Sequence, residues 1–150
     1  MADRKGHDAP PVELAQGIYE GLAGVRLAMR RFLAFSEATL ADAQVTSQQY
    51  QAMLVIKTSA QGRIMVRELA EQMLLQHHGA VQLVDRLSAA GLVERIPSAE
   101  DKRSVLIALT SVGERVLETL AGIHLRGMLK HEPLLAESLS QLRRLGNLDP

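Results

Sequence analysis

Apolar positions recur at helical spacing over most of the chain. Starting at Leu14 they fall at Ile18, Leu22, Val25, Met29, Phe32 and Leu33, and a stripe of that period continues to about Leu40. Pro10 and Pro11 suit the entry to this helix, because proline's missing N–H would be unsatisfied there in any case. A helix of roughly 28 residues is about 40 Å long, enough to reach beyond its own domain. Gly17, Gly21 and Gly24 share helical spacing within it. Each weakens the helix by up to about 1 kcal/mol against Ala. Close approach of another helix would explain them; chance is the alternative.

Thr46 with Gln49 three residues on reads as a capping box, and Tyr50, Met53, Leu54 and Ile56 carry the second helix to about Thr58. Gln61-Gly62 breaks the chain. A short helix follows from Val66 or Arg67 to Met73, then another from about Gln76 to Ala90, closed by Gly91. Beyond Leu92 the period becomes extended. Leu92–Ile96 and Ser104–Leu109 are rich in β-branched residues, and the polar segment Pro97–Arg103 joins them, so a hairpin with a long charged tip is expected. Thr110 caps a further helix running to about Leu129, Pro133 is expected to break it, and a last helix runs from about Leu134 to Leu145.

Composition narrows the function classes. The 150 residues are 47% apolar and 23% charged, which fits a globular chain with a real core and excludes disorder. Cysteine is absent, which removes disulfides, thiolate metal sites and thiol nucleophiles. Lys plus Arg equals Asp plus Glu at 17 each, so any role with nucleic acid must rest on where charge is placed. No apolar run of about 18 residues occurs, so no membrane span is expected and a cytoplasmic location follows. No phosphate loop, Gly-x-Ser-x-Gly, His-Glu-x-x-His or dinucleotide fingerprint is present, so the chain is not read as an enzyme and no cofactor is called for. His77 and His78 diverge on adjacent helical positions, so no metal site is expected there. His124 and His131 read as satisfied surface histidines, and Met29, Met53, Met65, Met73 and Met128 as core.

Two short helices followed by a hairpin with a basic tip are the parts of a winged helix-turn-helix. A helix fits the major groove of B-DNA, and the helix before it can lie across the backbone. The hairpin tip can then reach the adjacent narrow minor groove, whose negative potential attracts arginine. The tip offers Lys102 and Arg103, with Asp101 as either the hydrogen-bonded guide of the Arg103 guanidinium or an ordinary turn residue.

Five segments carry a family resemblance: Val66-Arg67-Glu68-Leu69-Ala70-Glu71, Leu83-Val84-Asp85-Arg86-Leu87, Ala90-Gly91-Leu92-Val93-Glu94-Arg95, Asp101-Lys102-Arg103 and Leu109-Thr110. In order and spacing they resemble the MarR family of dimeric bacterial transcription regulators. The resemblance implies a mainly α fold with a small β-hairpin wing, flanked by long N- and C-terminal dimerisation helices. Residues 11–45 would form the first of these, 46–110 the DNA-binding winged helix-turn-helix, and 111–146 the C-terminal dimerisation helices, within one compact domain. The implied function is that of a homodimeric, sequence-specific regulator on an imperfect inverted repeat of double-stranded DNA. It would act as a repressor released by a small apolar or phenolic effector.

On the recognition helix Gln76, His77, His78, Gln82 and Arg86 are the candidate DNA contacts, and on the wing Asp101, Lys102 and Arg103. Gln pairs bidentately with adenine, and His donates to guanine or phosphate; capping and solvation are the plain alternatives. The family commonly begins this helix with Ser or Thr and places a basic residue where Gln82 stands. The operator of better-known members therefore cannot be borrowed. The resemblance also places an effector pocket where the dimerisation helices meet the winged domain. Met29, Phe32 and Met53 would line it, although core packing is the plainer reading of all three. The rival function is a winged-helix interaction module that no longer binds DNA specifically, which the neutral charge and Gln82 favour.

Overall fold

Local signals place most of the element boundaries. A computed structural model describes residues 13–101 and 103–146; Pro10, Pro11 and Lys102, singled out above, lie outside the described residues. Helix α1 spans Gln16–Asp42 and α2 spans Ser47–Thr58. The capping box that opens α2 is present: Gln49 N–H donates to Thr46 Oγ1 at 3.1 Å, and Thr46 N–H to Gln49 Oε1 at 2.9 Å. A 3₁₀ turn at Ala60–Gly62 follows, with φ of 58° at Gln61 and 68° at Gly62. Then come β1 (Arg63–Met65), α3 (Val66–Met73), α4 (His77–Ala89), β2 (Val93–Pro97), β3 (Val105–Leu109) and α5 (Ser111–Gly146). The architecture is the winged-helix class expected. No helix among the described residues is long and apolar enough to cross a membrane.

The wing is one strand larger than a hairpin. β3 lies between β2 and β1, both antiparallel to it, with Ile64 opposite Ile107 and Arg95 opposite Ile107 on the other side. Ile64 and Ile107 are buried with Leu69, Leu83, Val84 and Leu87, so the sheet and the two short helices share one core. Three residues are too few to show strand alternation, which is why β1 escaped the sequence pattern.

Both short helices end in Schellman motifs. At the end of α4, Leu92 N–H donates to Leu87 O and Gly91 N–H to Ser88 O, both at 3.0 Å, with Gly91 at φ 72°. At the end of α3 the same pair of bonds runs from Leu75 to Ala70 and from Leu74 to Glu71. There the left-handed position is occupied by Leu74, at φ 54° and 93% exposed. A Cβ in that region is strained, and this side chain gains no packing in return.

Thr110 fastens three elements together. Its hydroxyl donates to Gly91 O at 2.5 Å and accepts from Gly113 N–H at 3.0 Å, capping α5, while its own N–H donates to Leu92 O at 3.1 Å. Gly113 is required here, since a Cβ would collide with the Leu92 carbonyl.

The chain divides into two compact units: residues 32–130, which hold everything above from the end of α1 to the body of α5, and the two chain ends, 1–31 with 131–150. In the described part of the second unit the glycines of α1 have a partner. A Cβ on Gly17 would come within 2.5 Å of Leu145, one on Gly21 within 2.7 Å of Leu142, and one on Gly24 would meet Ser138. Gln141 Nε2 also donates to the Gly17 carbonyl at 2.7 Å. Close helix approach, and not chance, therefore accounts for the spacing.

Pro133 does not break the C-terminal helix; α5 runs through it for 36 residues. Proline removes one N–H and crowds the preceding turn, yet its fixed φ near −65° is itself helical. Apolar stripes on both sides hold their own segments in the helix, so the expected division into two helices is corrected to one.

The strained and the fastening positions should respond oppositely to mutation. Leu74→Gly should raise stability by about 1 kcal/mol, reversing glycine's usual penalty. Thr110→Val, which keeps volume and loses both hydroxyl bonds, should lower it by about 1–2 kcal/mol. Urea midpoints at constant slope measure both.

Candidate nucleic-acid interface

Helix α4 is divided cleanly between core and solvent. Ala80, Leu83, Val84 and Leu87 have 0–2% exposure and form one face. By the 3.6-residue period His78, Gln82 and Asp85 point the other way, with Arg86 at the edge of that face, and all four are exposed. Gln76 stands at the N-cap position without a side-chain capping bond, and His77 opens the first turn. The first-turn N–H groups therefore have no side-chain acceptor from that residue, which suits a phosphate oxygen. Gln82 Nε2 lies 3.2 Å from His78 Nε2. Arg86 is the only permanent cation in the helix and forms no ion pair among the described residues.

Asp85 is paired across to the wing, where the Arg95 guanidinium on β2 donates to it. Pattern reading missed this contact, because residues ten apart on a helix and a strand share no local period. The pair offsets an acidic charge in the middle of the outward face of α4.

The wing tip is organised by Asp101, but not through the guanidinium as one sequence reading had it. Asp101 Oδ1 accepts the backbone N–H of Arg103 at 2.9 Å and Oδ2 accepts the Ser104 hydroxyl at 3.1 Å. Its acceptors are used in folding the turn, together with a Ser104 N–H to Asp101 O bond of 3.0 Å. Arg103 is exposed and its guanidinium has no carboxylate partner among the described residues. The structure thus brings Asp101 and Arg103 together through the backbone, and leaves the arginine head uncommitted.

A cavity of about 410 Å³ opens within the 32–130 unit, walled by Phe32, Tyr50, Leu54, His124, Leu125 and Met128 among others, none of them charged. Of the three residues expected to line a pocket, only Phe32 does so. Met53 has no exposed surface and belongs to the core, while Met29 is 53% exposed on the part of α1 in the other unit. Met128 is also 41% exposed, so these methionines are not uniformly core.

His124 is buried rather than superficial. Its Nδ1 lies 2.7 Å from Leu120 O, and since a carbonyl only accepts, Nδ1 carries the proton. In the neutral ring Nε2 then accepts from the Ser36 hydroxyl at 2.8 Å. The ring stacks on Tyr50 at 4.3 Å and meets Phe32 and Phe35 edge-on. Aromatic neighbours that lie far apart in sequence explain why helical spacing alone gave no hint of its burial. Burial also pushes the Tyr50 phenol above its ordinary value, so the hydroxyl at the cavity wall stays neutral. Among the described residues no group of three or more His, Cys, Asp and Glu is placed to hold a metal ion.

Comparison with known proteins agrees with this construction. The MarR family model matches residues 43–104. The HTH-type transcriptional regulator YfiV of Bacillus subtilis is 35% identical over 69 residues, 46% of this chain and 41% of that protein. The chain's matches span about half or less of the length of such curated relatives. AbsC, a MarR family transcriptional regulator from Streptomyces coelicolor, superposes with a TM-score of 0.71 at 20% identity, covering 89% of this chain and 92% of that one. BpsR of Bordetella bronchiseptica, whose DNA binding is regulated by 6-hydroxynicotinic acid, does so at 0.62 and 19% identity, covering 93% and 100%. At those identities the two structures establish the shared fold.

The wing-turn role of Asp101 has a local signature. Asp101→Ala should speed amide hydrogen exchange at Arg103 by about tenfold, the equivalent of one lost hydrogen bond, with almost no change in global melting temperature. Exchange measured by NMR separates this from a core defect, which would raise exchange throughout the sheet.

Proposed function

We propose that this chain, a MarR-family protein over residues 43–104, is a transcription regulator that binds double-stranded DNA as a homodimer. The observation that carries this reading is α4 itself. Its apolar face is spent in the core, and its opposite face presents His78, Gln82 and Arg86 beside a wing whose Arg103 guanidinium has no carboxylate partner among the described residues. In this reading α4 enters the major groove with Gln76 and His77 at its leading end, and Arg103, with Lys102, reaches the neighbouring minor groove. Asp101 serves indirectly, by shaping the turn from which Arg103 projects. Residues 46–110 are the DNA-binding segment, and 11–45 with 111–146 supply the dimer contact.

The dimer is supported by exposed apolar side chains on the described part of the terminal unit: Leu14 just before α1, Tyr19, Leu22 and Met29 on α1, and Leu139 and Leu145 on α5. Such clustering on one small unit marks an association surface. A two-fold dimer matches an imperfect inverted repeat with half-sites about one helical turn apart. The uncharged cavity suits a small apolar or phenolic effector, and its size falls in the range of ligand pockets. Tyr50 and Leu54 of its wall belong to α2, which packs on α3 and α4, so an occupant that shifts α2 acts on the reading helix and releases a repressor from its site. No catalytic role is assigned.

A second reading, an interaction module without DNA specificity, is favoured by a zero net charge and by the absence of any Lys or Arg from the first nine residues of α4.

Salt-dependent binding of the full chain to its own upstream DNA separates the two readings. Specific binding should weaken steeply with salt, and inserting five base pairs between half-sites should abolish it by rotating one half-site to the far face. Arg103→Ala should weaken binding to many sequences, by about tenfold, and most with A·T-rich flanks. Retained affinity after the insertion, or a monomer in sedimentation at micromolar concentration, would defeat the dimeric reading. No loss with Arg103→Ala would remove the wing from it.

A further inference from the structure

The outward face of α4 holds one side-chain pair that neither the core nor the wing uses. Gln82 Nε2 and His78 Nε2, one helical turn apart and both exposed, are 3.2 Å from each other. An amide nitrogen only donates, so this contact calls for the ring tautomer that carries its proton on Nδ1 and leaves Nε2 to accept. One N–H of the amide is thereby committed. With the ring proton on Nδ1, turning the amide over would set Oε1 against the ring's lone pair, so it is this tautomer that holds the orientation.

What Gln82 then offers outward is its remaining N–H beside Oε1, one donor next to one acceptor. The major-groove edge of adenine presents the N7 acceptor beside the N6 amino donor, whereas guanine presents two acceptors, N7 and O6. An amide held in this orientation complements adenine, and one turned over would present two N–H groups and suit guanine. Among the described residues the other polar groups on this face make no hydrogen bond to the amide: Asp85 is paired with Arg95, and Arg86, although one turn beyond Gln82, is not bonded to it.

We propose that His78 and Gln82 form one reading unit, in which Gln82 contacts an adenine and His78 is the positioning residue that fixes its amide. The unit rests on the DNA-binding reading above.

The test is selection of the full chain and its variants on a randomised double-stranded DNA pool. Wild type should favour adenine over guanine by about tenfold or more at one position of each half-site. Gln82→Ala should level that position and so identify it. His78→Ala frees the amide, and the adenine-to-guanine ratio there should fall by at least about threefold with other positions unchanged. Removing both side chains should match Gln82→Ala alone. His78→Lys places a donor-only group beside the amide, which takes Oε1 and turns both N–H groups outward; preference should cross to guanine. Its added charge raises affinity for every sequence, so the ratio is the informative readout. Both positions are exposed, and unchanged melting curves confirm folding. If the position defined by Gln82→Ala shows no adenine preference, or keeps its ratio in both His78 variants, this inference is wrong while the DNA-binding reading stands. If wild type enriches no sequence, both fall.

Discussion

One hydroxyl group holds the winged unit in register. Thr110 bonds to the carbonyl that closes α4 and to the amide that opens α5, and its backbone bonds to Leu92 at the start of the wing. Each bond is worth about 1 kcal/mol net, but together they fix the point where helix, sheet and next helix meet. With the end of α4 pinned there and Ala80, Leu83, Val84 and Leu87 sunk in the core, the helix has no freedom to roll. The outward direction of His78 and Gln82 is therefore set by residues that face away from them. In the DNA-binding role proposed, that surface takes its precision from the apolar face behind it.

The features legible in the sequence were those whose partners lie within a few residues. The Thr46–Gln49 box, the Gly91 stop and the Thr110 cap all close bonds within a turn or two of the chain, so residue type and spacing suffice to find them. Leu74 is the instructive exception. It occupies the position that Gly91 fills in the next helix, with the same pair of backbone bonds, yet as leucine it carries no turn signal. Features that depend on contacts distant in sequence were not legible. β1 is a strand only because β3 lies beside it, and Pro133 stays helical because both flanks do. The glycines of α1 are a groove only because Ser138, Leu142 and Leu145 fill it.

The site divides along the same line. The proposal of which element reads and which element reaches follows from a helix–turn–helix–hairpin order, because that order is a matter of chain connectivity. The work each side chain does was less visible. Asp101 carries two acceptor oxygens that either a guanidinium or a backbone amide can satisfy, and spacing cannot choose between them; in the folded turn the amide of Arg103 and the hydroxyl of Ser104 take them. His124 looked superficial because nothing near it in sequence announces that Tyr50, Phe32 and Phe35 surround it.

Charge placement gives these assignments a common logic. A chain with 17 basic and 17 acidic side chains cannot draw on bulk attraction to a polyanion. Within α4, Asp85 alone would repel phosphate, and Arg95 neutralises it from the wing. That leaves Arg86 as the single uncompensated Lys, Arg, Asp or Glu of the helix, with the hydrogen-bonding side chains of His77, His78 and Gln82 ahead of it. Neutral groups add little to non-specific affinity, because they release no counterions. They contribute only where donor meets acceptor on a base edge. In the role proposed for it, such a helix gives up general grip on DNA and keeps discrimination. The proposed dimer answers this, since a two-fold related second copy doubles the contacts that discriminate. On that proposal, the apolar side chains left exposed on the chain ends and the polar face of α4 serve one requirement.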